Sequence, residues 1–156
     1  MIPDSRKWVK DSLTIITDHD YNIDPRLRNK HKAKIIVTYT FGECIFNSIV
    51  RQSGDWKDHI NMSRGQIVQS VDVKLIDGNI NGITRFKLLI PKTRKNPEQE
   101  LLFTKILTSL NFLAPRTFFV NVNLNNTDTR MLFQEKIKTV QIYSYHQKNV
   151  LFAILV

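Results

Sequence analysis

From Lys34 onward, apolar and polar positions alternate in a way that an extended chain would sort onto two faces. KIIVTYTF (34–41) is rich in β-branched and aromatic residues, and Gly42 can turn it back into ECIFNSIV (43–50). SGDWKDHINMSRG (53–65) has no such pattern and reads as a loop or a single helical turn. VQSVDVKLID (68–77) then alternates cleanly. Val71, Val73 and Leu75 fall on one face, Asp72 and Lys74 on the other. The segment DGNING supplies a turn into the strand ITRFKLLI (83–90).

The period changes after PKTRK. Asn96 is a good N-cap, Pro97 suits the first helical position, and Gln99 stands where a capping box places its side chain. Phe103, Ile106, Leu107 and Leu110 recur at 3- and 4-residue spacing, which predicts a core-facing stripe on a helix ending near Asn111, before Pro115. TFFVNVNL (117–124) is a further strand, NNTDT a turn, and RMLFQEK (130–136) a last short strand. Several strands, one helix and two more strands predict an α+β fold, a largely antiparallel sheet with one main packed helix. Residues 1–33, polar and broken by Pro3 and Pro25, read as an irregular basic arm with room for one short element. Residues 34–137 carry the α+β domain, and 138–156 form an apolar tail ending in VLFAILV.

Composition narrows the function classes. The chain has 156 residues, 42% of them hydrophobic, enough for a core. No apolar run approaches the roughly 20 residues of a membrane span. MIPDSRKWVKDS lacks the apolar stretch of a secretory signal, so the expected location is cytoplasmic. Cys44, the single cysteine, excludes an internal disulfide and a thiolate zinc cluster. Against 14 Asp+Glu stand 23 Lys+Arg, a net charge of +9 that favours phosphate-rich partners: nucleic acid, nucleotide or acidic protein. Two segments concentrate this charge. Arg26, Arg28, Lys30, Lys32 and Lys34 occupy alternate positions, which an extended chain would carry along one edge; Arg85, Lys87, Lys92, Arg94 and Lys95 form the second run.

One constellation could carry chemistry. Glu100 precedes Phe103 and Leu107 by one and two helical turns, on or beside the expected stripe, where a carboxylate is costly unless paired. Arg85 and Lys87 share the strand face opposite Phe86, Leu88 and Ile90. A pair between Lys87 and Glu100 would reproduce a device of phosphoryl transfer, in which a strand lysine holds nucleotide phosphates and a helix glutamate fixes that lysine. An ordinary strand-to-helix salt bridge, or no contact, is the plain alternative.

Residues 45–137 resemble the CotH family of spore-coat kinases. The matching features are Arg85-Phe86-Lys87, the helix opening Glu100-Leu101-Leu102, and Ala114-Pro115-Arg116-Thr117 before a strand. MLFQEK resembles the strand by which that family leaves its first lobe, with Gln134 and Glu135 near the hinge, and Ser53-Gly54-Asp55-Trp56 stands where relatives have an R-G-N-S-like turn. The resemblance implies an incomplete kinase-like N-lobe in which Lys87, Glu100, Arg85 and Glu135 bind nucleotide, with ATP and Mg²⁺ the cofactors of a full-length relative. The chain departs from the pattern in reading SGDWKDH at the turn and in lacking G-x-G-x-x-G. After Lys136 only IKTVQIYSYHQKNVLFAILV remains, without Asp or Glu, so the aspartates of a second lobe are not encoded there. The expectation is a truncated lobe that binds ATP weakly at most, transfers no phosphate, has no catalytic or metal residue of its own, and can self-associate through its tail. The alternatives are a basic nucleic-acid-binding module and a non-functional product of an interrupted gene.

Other candidates carry bland readings. Asp18-His19-Asp20 reads as a loop or cap, and Asp55, Asp58 and His59 lack a recognisable nucleophile. His31 reads as solvated, His146 has no identifiable partner, Cys44 reads as a small core residue, and one of Phe118 and Phe119 is expected to be buried.

Overall fold

The computed structural model describes residues 5–63, 65–124 and 126–137. Its order is α1 (Ser5–Thr17), β1 (His31–Tyr39), β2 (Gly42–Gln52), β3 (Ile60–Ser63), β4 (Gln66–Gln69), β5 (Val71–Leu75), β6 (Arg85–Leu89), α2 (Pro97–Ser109), β7 (Thr117–Leu124) and β8 (Thr127–Glu135), with single 3-10 turns at Pro25–Leu27, Lys57–His59 and Pro91–Thr93. Six strands form one sheet in the order β1-β2-β5-β6-β8-β7, every neighbouring pair antiparallel, while β3 and β4 make a separate hairpin. This is the α+β architecture that the strand and helix periods predict.

Alternation decides which face becomes the core. Val71, Val73 and Leu75 of β5 are buried with Val50, Phe86, Leu88, Met131 and Phe133 from the neighbouring strands. The rings of Phe86, Phe133 and Phe118 stack in series, each pair at 4.6 Å. Each such side chain contributes roughly 1.5–3 kcal/mol when removed from water. The face opposite carries Asp72, Lys74, Arg85, Lys87 and Gln134, along with the buried cross-strand neighbours Leu89 and Leu132. Helix α2 lies on this second face, because Gln134 of β8 is hydrogen-bonded to Glu100 of α2.

Several expectations are corrected. Residues 5–17 of the supposed irregular arm form a regular helix, whose Trp8 and Ile15 are buried beside Ser12. Ser12 satisfies its hydroxyl on the Trp8 carbonyl at 2.7 Å and meets Gln69 at 3.2 Å. His31 is not solvated: it is 8% exposed and meets Trp8 edge-on, with ring centroids 5.4 Å apart. The alternating cations do not line one edge. Arg26 sits in a 3-10 turn against Asp24, Arg28 bonds Asp55, and only Lys32 and Lys34 lie on the outward face of β1. Part of the loop 53–65 is β3, paired with β4 through a turn at Gly65 (φ +74°).

The largest correction concerns α2. The Asn96 side chain makes no capping bond, although its carbonyl accepts the Glu100 amide at 3.2 Å. Thr104 is the buried residue of the helix, with Leu101 and Leu107 half-buried beside it. Phe103, Ile106 and Leu110 of the predicted core stripe are instead exposed, by 61%, 45% and 60%. Helix period and face were legible only in part, because the sequence is apolar on both sides of this helix.

Candidate functional site

Cross-strand register assembles the site. Asp72 of β5 stands opposite Lys87 of β6, and Lys87 opposite Gln134 of β8; on the other flank, Asp72 faces Arg51 of β2. One row across four strands therefore reads Arg51, Asp72, Lys87, Gln134, all on the face that α2 covers in part. Arg85, two residues before Lys87, extends the same face, and Lys136 joins it at the end of β8, its amide bonded to the Arg85 carbonyl at 2.9 Å.

Charge is unevenly matched in this row. Asp72 is 6% exposed, and its Oδ2 accepts from Arg51 at 3.1 Å and from Lys136 at 3.2 Å. A buried carboxylate held by two cations meets the requirement that buried charge be paired. Glu100, 25% exposed at its side chain, accepts from the Gln134 amide at 2.5 Å and lies 3.5 Å from Arg94 Nε. Lys87 does not pair with it: among the described residues the ion-pair partner of Glu100 is Arg94, and Lys87 forms no ion pair. The lysine–glutamate pair expected from the sequence is thus absent from the described residues, its glutamate taken by Arg94 and Gln134. Arg85 is half-buried, and its Nε has no hydrogen-bond partner.

Glu135 also departs from its expected role. Its carboxylate, 8% exposed, accepts from Arg116 Nε at 2.8 Å and Nη2 at 3.1 Å, a bidentate arrangement. The Arg116 Nη1 donates to the Asn81 carbonyl at 2.6 Å. The Glu135 hydrogen bond raises the Arg116 pKa above its ordinary value. Ala114-Pro115-Arg116-Thr117 and the end of β8 are therefore linked, and Glu135 is occupied in that link.

His59 marks the rim. Its Nδ1 lies 3.1 Å from the buried Ser70 hydroxyl, which also accepts the Ile90 amide at 3.0 Å. Burial lowers the His59 pKa, and the positive charges of Arg94 and Lys87 lower it further, against Asp58 and Asp55. That influence sets His59 within electrostatic reach of the Lys87 face, a link that sequence spacing did not signal. Gly54 lies under the His59 ring at φ +100°; a Cβ there would come within 2.1 Å of ring atoms. The small residue in the SGDW turn is thus needed to seat His59.

The remaining candidates stay structural. Asp18 caps the Asp20 amide at 3.2 Å, and among the described residues no group of three or more His, Cys, Asp and Glu could hold a metal. Cys44 is a partly buried residue of β2. Neither aromatic of the expected pair is buried: Phe119 is half-buried under the Arg130 guanidinium at 4.2 Å, and Phe118 is 41% exposed while stacking on Phe133. His146 lies outside the described residues, as does the tail 138–156.

Searches against protein-family models, curated proteins and solved structures found no match.

Proposed function

We propose that this chain is a phosphate-binding, nucleotide-lobe-like domain of the CotH kind, in which Lys87 and Arg85 receive the phosphates of a nucleotide. The observation that carries the reading is the half-buried Lys87, without an ion-pair partner among the described residues, in a face where cations outnumber carboxylates. Among the described residues, Arg51, Arg85, Lys87, Arg94 and Lys136 stand there against Asp72 and Glu100. The unpartnered Nε of Arg85 adds a donor that an anion would satisfy. The chemistry fits a phosphate chain. It does not fit magnesium, since both carboxylates are engaged by cations or an amide, so no step through a metal is derived. Binding of nucleotide without phosphoryl transfer is the activity this donor set supports.

Amide chemical shifts followed by NMR during ATP addition test the reading. Shifts are expected at Lys87, Arg85 and Arg94, with affinity reduced about tenfold in Lys87→Ala. ATP binding that Lys87→Ala leaves intact would refute it. A second reading, a nucleic-acid interface, is favoured by the row Lys32, Ile49, Lys74, Arg85, which continues the basic face to the edge strand β1. DNA binding that falls steeply with salt, with no response to ATP, would select that reading.

A further inference from the structure

Helix α2 is apolar on two opposite sides. At about 100° per residue, Leu101, Thr104 and Leu107 cluster on the side towards the sheet, while Leu102, Phe103, Ile106 and Leu110 cluster on the side away from it. The outward side is open: Leu102 is 60% exposed, Phe103 61%, Ile106 45% and Leu110 60%. The turn that follows adds Phe112 at 61% and Leu113 at 38%. An apolar stripe on each of two opposite sides suits a helix placed between two layers, with its charged residues Glu98 and Lys105 on the flank. Here one layer is the sheet, and a second is absent from the described fold.

We propose that the second layer is the same helix face of another copy of this chain, joined by a two-fold axis. Two features support this occupant. At about 100 Å² for each of these side chains, the outward face offers about 600–700 Å² per protomer, close to the roughly 800 Å² per partner of a standard interface. The stripe Leu102, Phe103, Ile106, Leu110 also has the 3- and 4-residue spacing that lets two antiparallel helices interdigitate, so the patch complements itself, as an isologous contact requires. Its centre is aromatic and aliphatic, without charge, which is the composition of an interface core. The phosphate-binding row lies on the sheet beside α2, so the dimer stands or falls independently of nucleotide binding.

The test is the mass of the full chain in solution. Sedimentation or light scattering at tens of micromolar should give twice the 18.3 kDa of one chain. Because Phe103 and Ile106 face solvent in the protomer, Phe103→Glu with Ile106→Glu should give a monomer with an unchanged circular-dichroism spectrum; Leu110→Arg, at the helix end, should weaken the dimer at least tenfold. A wild-type monomer at these concentrations would overturn the proposal. So would a dimer that survives all three substitutions, or one lost only when apolar residues of the run 150–156 are made polar.

Discussion

Removing the Arg116 side chain should cost stability out of proportion to its half-exposed position. Arg116 is 45% exposed at its side chain, whereas the Glu135 carboxylate that it holds is 8% exposed. Arg116→Met keeps the aliphatic stem and removes two hydrogen bonds to that carboxylate, at 2.8 and 3.1 Å, and one to the Asn81 carbonyl. Breaking a fully buried pair costs about 3–5 kcal/mol. Water reaches this guanidinium, and Glu135 keeps the backbone amide of residue 116 at 3.4 Å and a further interaction, which together reduce the figure to about 2–3 kcal/mol. In a domain of this size that corresponds to a melting temperature lower by roughly 5–10 °C. Glu135→Gln removes the charge itself, so the double variant Arg116→Met/Glu135→Gln should recover about 1 kcal/mol or more of the loss, read as the coupling energy of a double-mutant cycle in urea. A single-variant cost within 0.5 kcal/mol of zero, or costs that simply add, would refute the view that Arg116 and Glu135 lock the α2–β7 connection to the end of β8.

The other consequences are narrower. Since the folded His59 has a lowered pKa, the unfolded chain binds more protons, so its contribution is complete above about pH 6.5 and is lost as pH falls towards the folded value. Urea midpoints should fall below pH 6.5, by a slope that shrinks in His59→Gln; equal slopes in both proteins would sink this. Gly54→Ala should cost about 3 kcal/mol, by positive φ plus collision with the His59 ring, whereas Gly42→Ala, at φ +144° with open space around it, should cost about 1 kcal/mol. Equal melting temperatures for the two alanine variants would count against the packing assigned to Gly54.

What the sequence made legible is the part of the fold governed by local period. Val71, Val73 and Leu75 alternate and are buried together; Phe86 and Leu88 do the same. Helix α1 was read only as room for one short element, because its inward stripe consists of Trp8, Ser12 and Ile15, and a serine in the middle breaks the apolar signal although its hydroxyl bonds back to the Trp8 carbonyl. The hairpin β3–β4 was missed because four polar-flanked residues per strand give too short an alternation, and its register is set by Gly65. His31 looked solvated within a run of cations, yet position 31 begins β1 on the inward side and packs on Trp8 from helix α1. One under-read element thus produced a second error.

The failure at the candidate site has a topological cause. Lys87 and Glu100 were matched because β6 and α2 follow one another along the chain, and consecutive elements are usually adjacent in space. The sheet order inserts β8, which comes later, between β6 and β7. Its Gln134 then occupies the position across from Lys87 and turns its amide to Glu100 at 2.5 Å. Arg94, which precedes α2, closes on the same carboxylate from the helix side. A glutamine amide is neutral, so it satisfies Glu100 without pairing Lys87, which forms no ion pair among the described residues. Asp72 does not pair with it either, since its own oxygen is shared between Arg51 and Lys136. Arg85, Lys87 and Glu100 fall on one side of the sheet, whereas Glu135, the register partner of Phe86, falls on the other and is held by Arg116. What local sequence did not carry was the place of β8 in the sheet, which brings Gln134, and not Lys87, to Glu100.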